Sequence, residues 1–258
     1  MICQETQTNG LFIRSSLAQY IFYLWSITEI QLESTTLKEE KEKFIRSLIF
    51  PSLFLLVLWL VKMIELVSEE DFYVFGIYPR ELYGLKGILF SPFLHSGMNH
   101  LIDNSVPLFL LMVALFYFYH EIAFRVFLLS FFITNIMVWL GARAAYHIGA
   151  SGLIYAFASF LFFSGIFRRY PRLIAISLLV VFLYGSMVWG LFPVDVTISF
   201  ESHIYGSVVG LVISVFYKNQ GPQRELHKWE TEEEEYTDLP WDVVLDEDND
   251  EGSEKKDE

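Results

Sequence analysis

Residues 149–167 read GASGLIYAFASFLFFSGIF, a knot of small residues around one hydroxyl followed by an apolar run with no charge in it. A hydrocarbon core about 30 Å thick needs roughly 20 mostly apolar residues for one helical crossing. The stretch Ala150 to Phe167 therefore reads as a membrane helix, and Ser151 stands at its very start. Free backbone N–H groups point outward from that end of a helix, toward any oxygen that approaches.

The rest of the chain is of the same character. Of 258 residues, 53% are hydrophobic and 25 are Phe, which is too apolar for an ordinary soluble domain of this length. Five further crossings are expected at Ser47 to Val67, His100 to Tyr119, Ile122 to Leu140, Leu173 to Phe192 and Ser202 to Tyr217. The expected fold class is an all-α membrane protein, a six-transmembrane-helix bundle over residues 44–218. Residues 1–43 are expected to be extramembrane, with Leu11, Phe12, Leu17, Tyr20, Ile21 and Leu24 on one side of an amphipathic helix lying on the bilayer. Between the first and second crossings, Ser68 to Asn99 form the longest connection, semi-apolar and resting on or partly within the membrane.

The formal charge of −13 belongs to the tail, because residues 219–258 hold 16 acidic and 4 basic side chains. That composition cannot offset its ordering entropy, so a disordered, solvated acidic tail is expected. No nucleic-acid partner is expected of such a chain. Its single cysteine, Cys3, excludes an intrachain disulfide and a Cys-based metal site. The cluster Arg168, Arg169, Arg172 marks the connection between the fourth and fifth crossings as cytoplasmic. With six crossings both termini then share that side, and the first long connection lies outside.

In this topology the second, fourth and sixth helices begin at the outer face, and each opens with polar residues: His100 and Asn104, Ser151, and His203. Polar side chains in lipid are costly, so their meeting at one depth marks function. Ser is a weak nucleophile that needs an adjacent base, and His has a suitable pKa. His100 and Asn104 supply donors for a developing oxyanion. Gly206 and Gly210 form a small-xxx-small face opposite Gly152, Ala156 and Ser159, which brings the fourth and sixth helices together. Tyr155, one turn below the serine, is placed to stack on the imidazole.

The ordered set His95-x4-His100-x3-Asn104, Gly149-Ala150-Ser151-Gly152-x2-Tyr155 and His203-x2-Gly206-x3-Gly210 resembles the rhomboid family, in the six-helix form common in bacteria. The resemblance covers roughly Lys43 to Tyr217. It implies an intramembrane serine endopeptidase with a Ser–His dyad, Ser151 as nucleophile and His203 as general base, that cleaves single-span or other transmembrane proteins. It assigns His100, Asn104 and the backbone N–H of Ser151 to the oxyanion hole, Tyr155 to packing on the dyad histidine, and Gly206 and Gly210 to the final helix. Gly149 and Gly152 flank the nucleophile, and His95 takes a structural place in the first loop. The implied location is a bacterial inner membrane, with the active site opening to the outer face. In place of the family's Trp-Arg pair this first loop carries Tyr78-Pro79-Arg80.

Dyad chemistry requires no cofactor, and His95, His100, His203 and the scattered carboxylates form no familiar metal-ligand set. His147 and Asn135 read as packing or loop hydrogen-bonding residues, and Asp103 faces away from Asn104 on its helix. A channel or transporter would carry polar groups across the bilayer instead of at one depth. A rhomboid-like pseudoprotease that binds membrane clients without cutting them is the alternative reading. Phe192 to Ser199, beside Gly190 and Pro193, is expected to form a mobile cover over the site.

Overall fold

The computed structural model describes residues 8–169, 171–183, 189–193 and 199–221, with the backbone alone over 8–34 and at 172, 176, 180, 181 and 183. The acidic tail expected at 219–258 lies outside the described residues from 222 onward, as do 194–198 of the expected cover. Seven helices are described: α1 (Thr8–Ser68), a single turn α2 (Gly87–Phe90), α3 (Met98–Phe118), α4 (Ala123–Gly141), α5 (Ser151–Phe167), α6 (Pro171–Leu183) and α7 (Phe200–Phe216). Three of them, the Thr35–Ser68 part of α1 together with α3 and α4, are long and apolar enough to cross a membrane, and α5 and α7 are shorter apolar helices.

Leu53, Leu56, Leu60 and Ile64 on α1, Leu128, Phe132 and Ile136 on α4, and Val208 and Val212 on α7 are all exposed. Apolar side chains spread over so much surface would drive aggregation in water. They suit a solvent of acyl chains, and the protein is a multi-pass integral membrane protein. Inside, Leu58, Leu101, Leu108, Leu111, Phe157 and Phe160 form the continuous core.

The N-terminal segment is continuous with the first crossing, since α1 runs unbroken from Thr8. Helix-favouring residues cross the junction, where Arg46 pairs with Glu42 one turn back at 3.4 Å, and no Gly or Pro interrupts it. At the other end of α1, the buried Lys62 ammonium donates to Glu65 at 2.8 Å and to the His95 carbonyl at 2.9 Å. A charge at this depth persists only when paired and hydrogen-bonded, so Lys62 fixes the loop that leads into α3.

The first loop is pinned to the end of α4. Arg80, in the left-handed region at φ 64°, receives the Trp139 carbonyl at its N–H (2.9 Å) and donates its guanidinium to the Ala142 carbonyl (3.2 Å). Trp139 Nε1 donates in return to the Glu81 carbonyl at 3.0 Å. Tyr78-Pro79-Arg80 thus supplies an arginine anchor, and the neighbouring tryptophan comes from another helix. Asn135 serves as a loop-bonding residue, donating to the Ile88 carbonyl at 3.0 Å.

At the opposite end of the bundle, Arg168 is buried over the Tyr119 ring. Its guanidinium donates to Ser164 Oγ and to the Tyr217 and Gln220 carbonyls just past the end of α7. Cations are favourable where helix carbonyls run out of partners.

Helices α5 and α7 make the most extensive helix contact. A Cβ on Gly206 would strike the Gly152 carbonyl, and one on Gly210 the Ala156 carbonyl. Ser159 Oγ donates to the Ser207 carbonyl across the same seam at 2.7 Å. Overpacking of this kind costs about 1–3 kcal/mol. Gly210→Ala should lower the unfolding midpoint in micelles accordingly, and Gly206→Val more so; wild-type melting in both would mean that the seam has room.

Candidate active site

The α5–α7 seam ends at the residues that carry chemistry. Ser151 is the first residue of α5, and His203 lies in the first turn of α7. His203 Nε2 is 2.8 Å from Ser151 Oγ, and its Nδ1 is 2.8 Å from the Gly190 carbonyl. A carbonyl only accepts, so Nδ1 carries the proton and Nε2 is left to accept from the serine hydroxyl. The Tyr155 ring stacks on the imidazole at 4.2 Å with 14° between planes. His203 is buried and Ser151 half-buried, so the imidazole is held while the hydroxyl keeps an open side.

Gly149, at φ +111°, occupies the left-handed region two residues before Ser151. A Cβ there would lie 2.9 Å from His100 Cε1, 3.1 Å from His100 Nε2 and 3.7 Å from Asn104 Nδ2. The absent side chain leaves space that these two donors border. Asn104 is buried, and its Nδ2 has no hydrogen-bond partner among the described residues. A buried N–H of this kind costs about 1–3 kcal/mol unless something accepts from it. His100 Nδ1 is 3.1 Å from Ser96 Oγ; with the hydroxyl donating, Nε2 carries the proton and faces the same space.

Ser151, His203, Tyr155, His100, Asn104 and Gly149 lie close together here, while Gly152, Gly206 and Gly210 line the α5–α7 seam. His95 lies behind them, its ring 5.1 Å from that of His100. The residues that sequence reasoning missed are Gly190, whose carbonyl sets the His203 tautomer, and Ser96, whose hydroxyl meets His100 Nδ1. Neither lies in a helical pattern that points at the site. Gly190 is legible only in retrospect, because a Cβ on it would strike Tyr155 Oη and lie 2.9 Å from His203 Nδ1.

A helical membrane protein with a serine and a neutral histidine in hydrogen-bond contact beside unspent donors has the parts of an acyl-transfer site. The comparisons with known proteins agree with this class. The model of the rhomboid domain matches residues 80–220, and the chain belongs to the rhomboid family. Uncharacterized proteins of Mycobacterium tuberculosis and Mycobacterium bovis are each 34% identical over 186 residues, 67% of this chain and 75% of theirs. One from Mycobacterium leprae is 31% identical over 191 residues, 67% of this chain and 71% of its own.

Two loop histidines are held neutral. Burial, and then the neighbouring His100, lowers the His95 pKa to about 3, against the Phe93 backbone, which raises it; burial likewise lowers that of His147. An unfolded histidine takes up its proton near pH 6.5. The unfolded chain therefore binds more protons than the folded one below that pH, and stability is complete above it and declines as pH falls toward 3. The melting midpoint should drop between about pH 7 and pH 5, and His95→Gln should shrink the drop. An undiminished drop in the variant would place the acid sensitivity elsewhere.

Proposed function

We propose that the protein is an intramembrane serine endopeptidase with Ser151 as nucleophile and His203 as general base. The observation that carries this reading is the 2.8 Å contact between His203 Nε2 and Ser151 Oγ, with Nδ1 turned to a carbonyl. The reading includes a bundle of six crossings over residues 44–218, both termini in the cytoplasm, the dyad opening toward the outer face, and transmembrane proteins as substrates. The arginines at 168, 169 and 172 support that orientation.

In the reaction, a client helix unwinds at the level of the α5 start and presents a peptide carbonyl to Ser151. The hydroxyl attacks while His203 Nε2 takes its proton. Negative charge then develops on the carbonyl oxygen, where Asn104 Nδ2, His100 Nε2 and the Ser151 backbone N–H donate to it. Fixed donors in a site poor in water act strongly because they need no reorganisation. His203 passes its proton to the leaving amine, and an acyl-enzyme remains until water, activated by the same imidazole, releases it.

Purified protein in detergent or liposomes should cleave a single-span reporter, and Ser151→Ala and His203→Ala, both folded, should not. Asn104→Ala should lower kcat about 10²- to 10³-fold, the usual effect of one oxyanion donor. Cleavage that survives either dyad variant would remove the assignment. A folded wild type inert toward several reporters would favour client binding without cleavage.

A further inference from the structure

The two dyad atoms belong to separate helices, and each lies within the first turn of its own. First turns have orphan N–H groups and fray unless capped. No side-chain cap bonds the start of α5 or of α7. Ser199 is at the N-cap of α7 and is of the residue type that normally caps. Its hydroxyl is spent elsewhere, on His147 Nδ1 at 2.6 Å.

His147 joins three segments. Its backbone pairs with Ile77 of the first loop in both directions, at 2.8 and 3.0 Å. Its Nε2 lies 3.0 Å from the Arg143 carbonyl, which can only accept, so Nε2 donates and Nδ1 accepts from the Ser199 hydroxyl. A second tie runs beside the first. Arg143 Nη1 meets Glu201 Oε2 at 3.3 Å, and the Arg143 backbone N–H donates to Glu201 Oε1 at 3.4 Å. Glu201 is buried, which makes this pair less screened than one at the surface.

The spacing relates both ties to the chemistry. His147 precedes Ser151 by four residues, and Ser199 precedes His203 by four. The Ser199 carbonyl also accepts from the N–H groups of Ser202, at 3.1 Å, and His203, at 3.4 Å. The hydroxyl and the carbonyl of one residue thus link His147 to the backbone that carries the base.

We propose that His147 and Ser199, backed by Arg143 and Glu201, form a positioning clamp that fixes the first turn of α7 relative to that of α5 and so sets the His203–Ser151 distance. The clamp rests on the protease reading. None of its members touches the dyad atoms, so they are positioning residues. Their contribution is to the fraction of molecules with the dyad in register, which appears in kcat and not in client binding.

The test uses the full-length protein in micelles with the single-span reporter, and measures kcat, KM, the melting midpoint and the rate at which a fluorophosphonate labels Ser151. Ser199→Ala and His147→Ala should each lower kcat and labelling about ten- to a hundredfold, the scale of a misplacement remote from the reacting atoms, with KM unchanged and the loss persisting well below each variant's melting midpoint. The double variant should lose no more than either single one, because the two remove the same bond. Ser199→Thr, which keeps the hydroxyl, and His147→Gln, which keeps a donor and an acceptor, should recover most of the rate. Wild-type kcat in both alanine variants, losses that multiply in the double variant, or a loss that follows the melting midpoint without rescue by Ser199→Thr would each overturn the clamp alone. A wild type that neither cleaves nor labels would overturn the protease reading and the clamp with it.

Discussion

The structure depends on how closely α5 and α7 approach. In lipid no hydrophobic force draws helices together, so packing at short range has to do it. Here glycine lies opposite carbonyl at two successive turns, Gly206 against Gly152 and Gly210 against Ala156. The seam has no slack, and the Ser159–Ser207 hydrogen bond fixes its register. Only at that separation does an imidazole on one helix reach a hydroxyl on the other. The requirement for small residues and the requirement for a base are one geometric condition seen at different depths.

The second constraint is electrostatic. A low-dielectric interior favours neutral polar groups with defined partners and penalises those without. The Gly190 carbonyl selects one tautomer of His203, and the Ser96 hydroxyl orients His100. Asn104 Nδ2 is among the buried atoms left without a partner in the described residues, and it borders the space beside Gly149 that His100 also lines. On the proposed protease reading, an unspent donor beside the serine–histidine pair is what a site complementary to a transition state should contain, since its bond forms only when charge appears.

The legible part of the structure was the part governed by helical periodicity. Ser151 and Tyr155 are one turn apart, as are His100 and Asn104, and Gly206 and Gly210 repeat along one face, so spacing alone placed them together. Loop paths have no such period, and the misses are there. His147 reads as a packing or loop hydrogen-bonding residue and is the latter, but its partners, Ile77 and Ser199, are distant in sequence and come from two different loops. Lys62 looked like one more residue of a crossing, yet it holds the His95 carbonyl. A charged stretch ends near Lys43 where the apolar crossing begins, yet α1 passes through it unbroken. Composition sets the solvent, whereas continuity of a helix depends on breakers, and none lies at that junction.

These restraints on His203 differ in what they would survive. The bond to Gly190 comes from the chain beyond α6, the side on which the sequence suggests a cover. A displacement there that admitted a client would carry away the Nδ1 acceptor. The restraints from α5 and from residues 143–147 do not involve α6: the glycine seam, the Tyr155 stack, the His147–Ser199 bond and the Arg143–Glu201 pair all remain. An imidazole that loses its Nδ1 partner keeps its base position only if backbone and ring plane are held by other contacts. The glycine pairs at 206 and 210 hold α7 beyond the histidine, and its first turn meets α5 where Gly152 packs on Ser202 and Tyr155 on His203. The contacts of residues 199 and 201 with 147 and 143 add a second hold on that turn from another loop, and the N-cap serine spends its hydroxyl there instead of capping its own helix.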